Sequence, residues 1–137
     1  MAPNADLVDW KVLIVDDDPD NIGVPQKLLT FYGAQVFTAE DGAQGLEVLR
    51  KMPVLPTVIL MDLSMPVMDG WEMLKALRSD QRLADLTVIA LTAHAMPTDK
   101  DRALAAGFDG YIVKPIRIHT ILDEIRQCIA QSRAKKK

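Results

Sequence analysis

The sequence contains a single cysteine, Cys128, so an internal disulfide cannot form and a reducing compartment is expected. It also lacks any apolar run approaching the ~20 residues that are needed to cross a bilayer. The first ten residues, MAPNADLVDW, have neither the basic nor the apolar segment of a signal peptide. These absences predict a soluble, cytoplasmic protein with no membrane partner.

An excess of positive charge is absent as well. The formal net charge of the 137 residues is −3, which does not fit the basic surface of a nucleic-acid-binding protein. We therefore expect no nucleic-acid partner. The length suits one domain, which we place at 11–132, after an N-terminal lead at 1–10 and before a basic, solvated C-terminal tail at 133–137. This division leaves no room for an output domain.

Short apolar segments alternate with segments of helical periodicity along the whole chain. Strands are predicted at 11–15, 34–39, 57–61, 86–91 and 109–113. Helices are predicted after Asp18, after Asp41, from Gly70 to Arg78, from Pro97 to Gly107, and along the apolar stripe from Ile118 to Ile129. Five alternating pairs predict an α/β fold with a parallel sheet and right-handed crossovers.

The first predicted helix contains Pro25, which removes an internal hydrogen bond, so the helix either begins near Pro25 or is kinked there. We expect a kinked helix. The fourth is rich in alanine and poor in large apolar residues, so little burial holds it in place. We expect it to be the most mobile element of the fold.

Chemically active side chains follow four of the five predicted strands. They are Asp16 and Asp17 after the first, Asp62 after the third, Thr92 after the fourth and Lys114 after the fifth. In an open parallel sheet the carboxyl ends of the strands meet at one place, which is also where ligands bind. Clustered carboxylates repel one another unless a cation compensates them. Oxygen ligands without cysteine or histidine suit Mg²⁺.

A hydroxyl and an ammonium group beside such a metal site are complementary to a phosphoryl group. A carboxylate can itself act as the nucleophile and form an aspartyl phosphate. Asp62 is the best-placed nucleophile, because it leaves the predicted central strand alone. Asp17 would then hold the metal, and Asp16 would support it.

Four motifs on four predicted strands resemble those of the receiver domain of two-component response regulators. The matching segments are VLIVDDD (12–18), VILMDLSMPVMDG (58–70), VIALTA (88–93) and GYIVKP (110–115), in order and spread over about 11–129. The sequence is most similar to single-domain regulators and to the receivers of hybrid histidine kinases.

The resemblance implies a (βα)5 flavodoxin-like, doubly wound sheet with strand order 2-1-3-4-5. It also implies that a partner's phosphohistidine phosphorylates Asp62, the partner being a histidine kinase or a histidine phosphotransfer protein. Mg²⁺, or Mn²⁺ as a substitute, would be bound by Asp17, Asp62 and the backbone carbonyl of Ser64. Asp16 would lie beside the ion or bind it through water.

Further roles follow from the same resemblance. Thr92 and Lys114 would bind the phosphoryl oxygens, and Tyr111 would be the aromatic residue that turns inward when Thr92 moves. The bond between Lys114 and Pro115 would be cis.

Two variable positions flank this machinery in the family. They are Ser64 and His94, two residues beyond Asp62 and Thr92, and they would tune the lifetime of the phosphoryl group. We expect His94 to overhang the site and alter the access of water.

The function expected from these features is a phosphoacceptor that switches protein–protein interactions, at most with slow self-catalysed phosphotransfer and autodephosphorylation. Its readout would be an unknown downstream protein that binds the face of the fourth helix, fifth strand and last helix. The sequence leaves open that the chain is a fragment of a hybrid histidine kinase. A small phosphatase or phosphotransferase with an Asp nucleophile is disfavoured, because Ser64 stands where a second catalytic Asp would be. A flavin or nucleotide binder is disfavoured, because no glycine-rich phosphate motif is present.

Overall fold

The computed structural model describes residues 7–93 and 96–135. Its five strands are β1 Lys11–Val15, β2 Gln35–Ala39, β3 Val58–Asp62, β4 Val88–Thr92 and β5 Gly110–Val113. Its five helices are α1 Pro19–Phe31, α2 Gly42–Lys51, α3 Gly70–Arg78, α4 Pro97–Ala106 and α5 Ile121–Lys135. None of the helices described is long and apolar enough to cross a membrane.

The strands form one parallel sheet in the order β2-β1-β3-β4-β5, which confirms the predicted topology. Every residue of β3 and β4 is buried, because helices cover both faces of the sheet. One core cluster lies on the side of α2 and α3, and the other lies on the side of α1 and α5. The central strands are packed on both faces by these two clusters, and this packing fixes the positions of the residues at the strand ends.

Acidic caps begin three of the helices. The side chains of Asp18, Asp41 and Asp69 each accept a hydrogen bond from an amide in the first turn of α1, α2 and α3. The caps predicted at Asp18 and Asp41 are therefore confirmed. Helix α1 runs continuously through Pro25, whose side chain is buried.

The predicted starts of the last helix and of the fourth strand are wrong. Helix α5 begins at Ile121, because the backbone at Arg117–Thr120 makes a turn instead, and Ile118 is 56% exposed. The same helix extends over 133–135, the first residues of the predicted basic tail. Strand β4 begins at Val88 and not at Leu86, whose carbonyl accepts a hydrogen bond from Arg78.

The segment before β1 packs on the domain. Leu7 is buried in the core cluster on the side of α1 and α5, and its amide donates to the carbonyl of Tyr32. The carbonyl of Trp10 accepts a hydrogen bond from the amide of Gln35, at the start of β2. At least residues 7–10 of the predicted lead are thus part of the packed structure.

Candidate functional site

Three carboxylates meet where β1 and β3 end. These strands are neighbours in register, with Val15 opposite Met61, so the residues that follow them emerge side by side. One carboxylate oxygen each from Asp16, Asp17 and Asp62 lie within 4.8 Å of one another. Asp16 and Asp62 are buried, whereas Asp17 is exposed. The structure therefore brings together the acidic residues that the sequence places at the carboxyl end of the sheet.

Lys114 reaches these carboxylates from the end of β5. Its Nζ lies 2.9 Å from Oδ2 of Asp16 and 3.4 Å from Oδ1 of Asp62. The two carboxylates also accept backbone hydrogen bonds, from the amide of Asp18 to Asp16 and from that of Ser64 to Asp62. The Lys114–Pro115 peptide bond is cis. Carboxylates and ammonium thus form one connected cluster.

The environment of Asp62 disfavours its charged form. Burial, and after it the negative charge of Asp16, raise its pKa from 3.8 to about 6. The Lys114 ammonium and the Ser64 amide oppose this shift without cancelling it. Near neutral pH Asp62 is largely ionised, but at a cost that a further cation would relieve.

Burial lowers the pKa of Lys114. The hydrogen bond to Asp16 and the charges of Asp16 and Asp62 outweigh this effect, so that its pKa is raised overall. Lys114 is therefore a fixed positive charge in the site. It partly balances the carboxylates and leaves their cluster net negative.

Thr92 and Tyr111 complete the group of residues singled out by the sequence. Thr92 is buried at the end of β4, and its backbone carbonyl accepts a 2.7 Å hydrogen bond from the amide of Lys114. Its side chain is hydrogen-bonded to the hydroxyl of Tyr111. Burial raises the pKa of Tyr111, although the bond to Thr92 opposes the shift. His94, for which a modulating role is expected, lies outside the described residues.

The loop after β3 is held close to the strand by glycine. A side chain at Gly70 would collide with the carbonyl oxygen of Asp62 and would lie 2.9 Å from Cα of Leu63. The amide of Gly70 also donates to the carbonyl of Leu63. The sequence signals this turn with its Asp-Gly pair, and the close approach fixes the backbone of Asp62.

A second contact of this loop has no signal in the sequence. The amide of Gly42 in α2 donates to the carbonyl of Met68, and a Cβ at Gly42 would lie 2.7 Å from Met68 Cγ. Between these anchors, Val67 adopts the left-handed conformation with φ of 65° and is 83% exposed. This conformation is unfavourable for a β-branched residue.

The donor set fits a magnesium ion. Asp16, Asp17 and Asp62 offer only hard oxygen ligands, and a partly exposed cluster leaves room for the waters that Mg²⁺ retains. A divalent ion would also reduce the repulsion that raises the pKa of Asp62.

Comparison with known proteins adds the family context. The sequence model of the family described as "Response regulator receiver domain" matches residues 12–126. "Polar-differentiation response regulator DivK" from Brucella ovis is 31% identical over 88% of this chain and 97% of its own length. "Sensor histidine kinase GacS" from Pseudomonas protegens is 38% identical over 77% of this chain, which spans only 12% of that kinase.

A solved structure that shares the fold holds a magnesium ion. It is the receiver domain of sensor histidine kinase PA1611 from Pseudomonas aeruginosa PAO1, with a magnesium ion coordinated in the active site cleft. Its TM-score is 0.77 at 29% identity, over 88% of this chain and 98% of that one.

Proposed function

The chain belongs to the response regulator receiver domain family of two-component signalling, and from this membership we propose that it is a phosphoacceptor whose phosphorylation on Asp62 switches protein–protein interactions. The observation that carries the proposal is the cluster itself. A buried carboxylate with a raised pKa lies 3.4 Å from a fixed ammonium group and beside two further carboxylates. This arrangement is suited to charge that arrives with a phosphoryl group and a metal ion.

In the proposed reaction an oxygen of the Asp62 carboxylate attacks the phosphorus atom of a phosphohistidine. The new O–P bond forms as the N–P bond breaks, and the imidazole leaves with its electron pair and takes up a proton. The Lys114 ammonium and the Thr92 hydroxyl stabilise the phosphoryl oxygens.

The metal site is proposed from the same residues. Asp17, Asp62 and the carbonyl of Ser64 would hold Mg²⁺ or Mn²⁺, with Asp16 beside the ion or bound through water. The ion supplies positive charge that offsets the repulsion between the phosphoryl group and the carboxylates. Asp16 keeps Lys114 in place through their 2.9 Å contact.

The switch is proposed to begin at Thr92. Its hydroxyl is hydrogen-bonded to Tyr111, so recruitment of Thr92 by the phosphoryl group would break that bond. Helix α4 is weakly held, because Ala103 is the only buried residue among its described side chains and its cap residue, Met96, makes no side-chain cap bond. A change at Thr92 and Tyr111 would therefore shift the α4–β5–α5 face for a downstream partner.

The phosphodonor is proposed to be a histidine kinase or a histidine phosphotransfer protein, and the chain to act as a stand-alone regulator. Its coverage of 97% of a DivK response regulator supports the stand-alone form. Its match to a short part of a sensor histidine kinase supports the alternative, a receiver within a hybrid kinase.

The test is phosphorylation by acetyl phosphate, measured as intact mass with Mg²⁺ and with EDTA. The wild type should gain one phosphoryl group only with the metal, and Asp62→Asn should gain none. Asp18→Asn is the matched control, because it removes a neighbouring carboxylate that serves as a helix cap, and it should be labelled like the wild type. Labelling of Asp62→Asn, or metal-independent labelling, would contradict the proposed site. Repeated release of phosphate from many small phosphoesters would instead indicate a phosphatase.

A further inference from the structure

A groove of about 510 Å³ lies at the amino end of the sheet, opposite the acidic site. It runs between the edge strand β2 and the end of α2 with the segment that follows. Five of its eight lining residues are apolar, namely Phe37, Val48, Met52, Pro53 and Val54. Val54 is 58% exposed, and Phe37 and Val48 are only half-buried. The folded chain thus leaves an apolar surface in water here.

The charged residues that line this groove are both basic. Lys11 and Lys51 are among the lining residues, and none of the described lining residues is acidic. Lys51 is paired with Glu47 at 2.9 Å, but both side chains are largely exposed. An exposed pair of this kind is weak and readily exchanges partners. The surface is therefore complementary to a ligand that carries both apolar groups and carboxylates.

The adjacent strand offers its backbone as well. β2 is the first strand in the sheet order, so β1 is its only partner among the strands that the structure describes. The amide of Gln35 donates to Trp10, and the carbonyl of Ala39 accepts from Asp16. Since backbone groups alternate in direction along a strand, those of Val36 and Thr38 point away from β1. An extended peptide can pair with such an edge and place every second side chain on one face.

We propose that this groove docks an extended acidic segment of a partner protein. The segment lies beside β2, with apolar side chains two residues apart over Phe37 and Val54. Its carboxylates pair with Lys11 and Lys51. Because the groove is at the amino end of the sheet and Asp62 is at the carboxyl end, this docking is independent of phosphorylation. It would keep a partner tethered in both states of the switch.

The experiment titrates the ¹⁵N-labelled full chain with the acetylated peptide EELTVTLE and follows backbone amide shifts. Saturable shifts should map to 35–38 and 48–54, and the dissociation constant should stay within about twofold after phosphorylation with acetyl phosphate and Mg²⁺. Binding should weaken as salt is added, because exposed charges contribute to it.

Two variants and two matched controls locate the contact. Val54→Asp and Lys51→Glu should each raise the dissociation constant at least about fivefold. Ile118→Asp and Lys27→Glu change residues of similar character on other surfaces and should leave it unchanged. The far-UV circular dichroism of each variant reports whether it is folded.

Several outcomes would overturn the proposal. They are the absence of saturable shifts, an equal response to the basic peptide KKLTVTLK, and undiminished binding by both groove variants. Shifts that depend on protein concentration without peptide would assign the groove to a second copy of the chain. Saturation by dodecanoate but not by the peptide would assign it to a small amphiphile. Acetyl phosphate labelling of Asp62 is unaffected in every one of these cases, so the proposed function is judged separately.

Discussion

Each end of the sheet has a basic side chain in contact with acidic ones, but the balance of charge differs between the two ends. At the carboxyl end, Lys114 faces both Asp16 and Asp62, and the pKa of Asp62 stays raised at about 6. At the amino end, Arg78 faces the single carboxylate of Asp109 at 3.0 Å. The first cluster has an excess of negative charge, whereas the second is balanced.

The hydrogen bonds of the second cluster are also more complete. Arg78 donates to three backbone carbonyls as well as to Asp109, and Asp109 accepts from the amide of Val88. The carbonyls belong to Ala84, Leu86 and Gly107. One guanidinium therefore joins the end of α3, the start of β4 and the segment between α4 and β5.

The difference separates a scaffold from a site. Complete pairing at the amino end stabilises the fold, while the unbalanced negative charge at the carboxyl end leaves free energy to be gained when a cation binds. Val67 adds backbone strain at that same end. The contacts that stabilise the fold and the candidate functional site thus lie at opposite ends of the sheet.

Removing the two cations should have unequal effects. Arg78→Met should lower the free energy of unfolding by about 3–5 kcal/mol, because it leaves Asp109 and several carbonyls without their donor. Lys114→Met should cost about 1 kcal/mol or less, because Asp62 can respond by taking up a proton. Urea denaturation at pH 7 measures both.

If Arg78→Met does not fold, a less disruptive substitution at Arg78 still allows its loss of stability to be compared with that of Lys114→Met. Arg78→Lys retains the charge but loses the planar fork, and should show an intermediate loss. Equal losses for the Arg78 and Lys114 variants would contradict the division into scaffold and site.

Gly70→Ala should be the most damaging of the small substitutions at the carboxyl end. Its methyl group meets the carbonyl of Asp62, so the backbone must shift, at a cost of about 1–3 kcal/mol. Labelling of Asp62 by acetyl phosphate should slow as well. Gly23→Ala is the matched control, because nothing lies within 4 Å of its added methyl group, and it should stabilise α1 by up to about 1 kcal/mol. If Gly70→Ala were as harmless as Gly23→Ala, the close approach would not fix Asp62.

Asp62→Asn should stabilise the metal-free protein in a pH-dependent manner. The pKa of Asp62 in the folded state, about 6, is higher than its ordinary value of 3.8, so ionisation opposes folding. The stability of the wild type should fall as the pH rises from about 4 to 6, and the variant should escape this loss. We expect Asp62→Asn to raise the free energy of unfolding by about 1–2 kcal/mol at pH 8, a figure that already allows for solvent screening. Below about pH 4 the substitution should leave the free energy of unfolding unchanged.

Thermal unfolding in EDTA across this pH range provides the measurement. Mg²⁺ should narrow the difference in stability between Asp62→Asn and the wild type, because the ion binds to the folded wild type and stabilises it by mass action. A gain that is the same at pH 4 and pH 8 would show that ionisation of Asp62 is not its cause.

The alternation of strands and helices was sufficient to predict a parallel sheet and the residues that meet at its carboxyl end, whereas the strand order was implied by the family resemblance. Asp16, Asp62 and Lys114 each follow a short apolar strand, and parallel topology then brings such residues together. The helix caps at Asp18 and Asp41 were predictable for a similar reason, since they depend only on neighbours in the chain.

Features that depend on distant contacts were not predictable. Arg78 resembles a surface residue of an amphipathic helix, yet it donates hydrogen bonds to the carbonyls of Leu86 and Gly107 in two later segments. Leu7 precedes the first strand and carries no periodic signal, but it is buried against α1. The start of α5 was misplaced because Ile118 fits the apolar spacing of a helix that its backbone has not yet entered.

Val67→Gly should give the smallest effect and the clearest test of strain at the carboxyl end. Glycine adopts a φ of 65° without the steric cost of a β-branched residue, which is about 1–2 kcal/mol. The greater freedom of glycine in the unfolded chain offsets part of this gain, at about 0.5–1 kcal/mol. The net expectation is a stabilisation of about 0.5–1 kcal/mol in urea denaturation. Val8→Gly is the control, because Val8 is 64% exposed and Val67 is the only described non-glycine residue with positive φ, so this control should be neutral or destabilising. A loss of stability in Val67→Gly would mean that its side chain makes contacts worth more than the strain, and the carboxyl end would then be strained by charge alone.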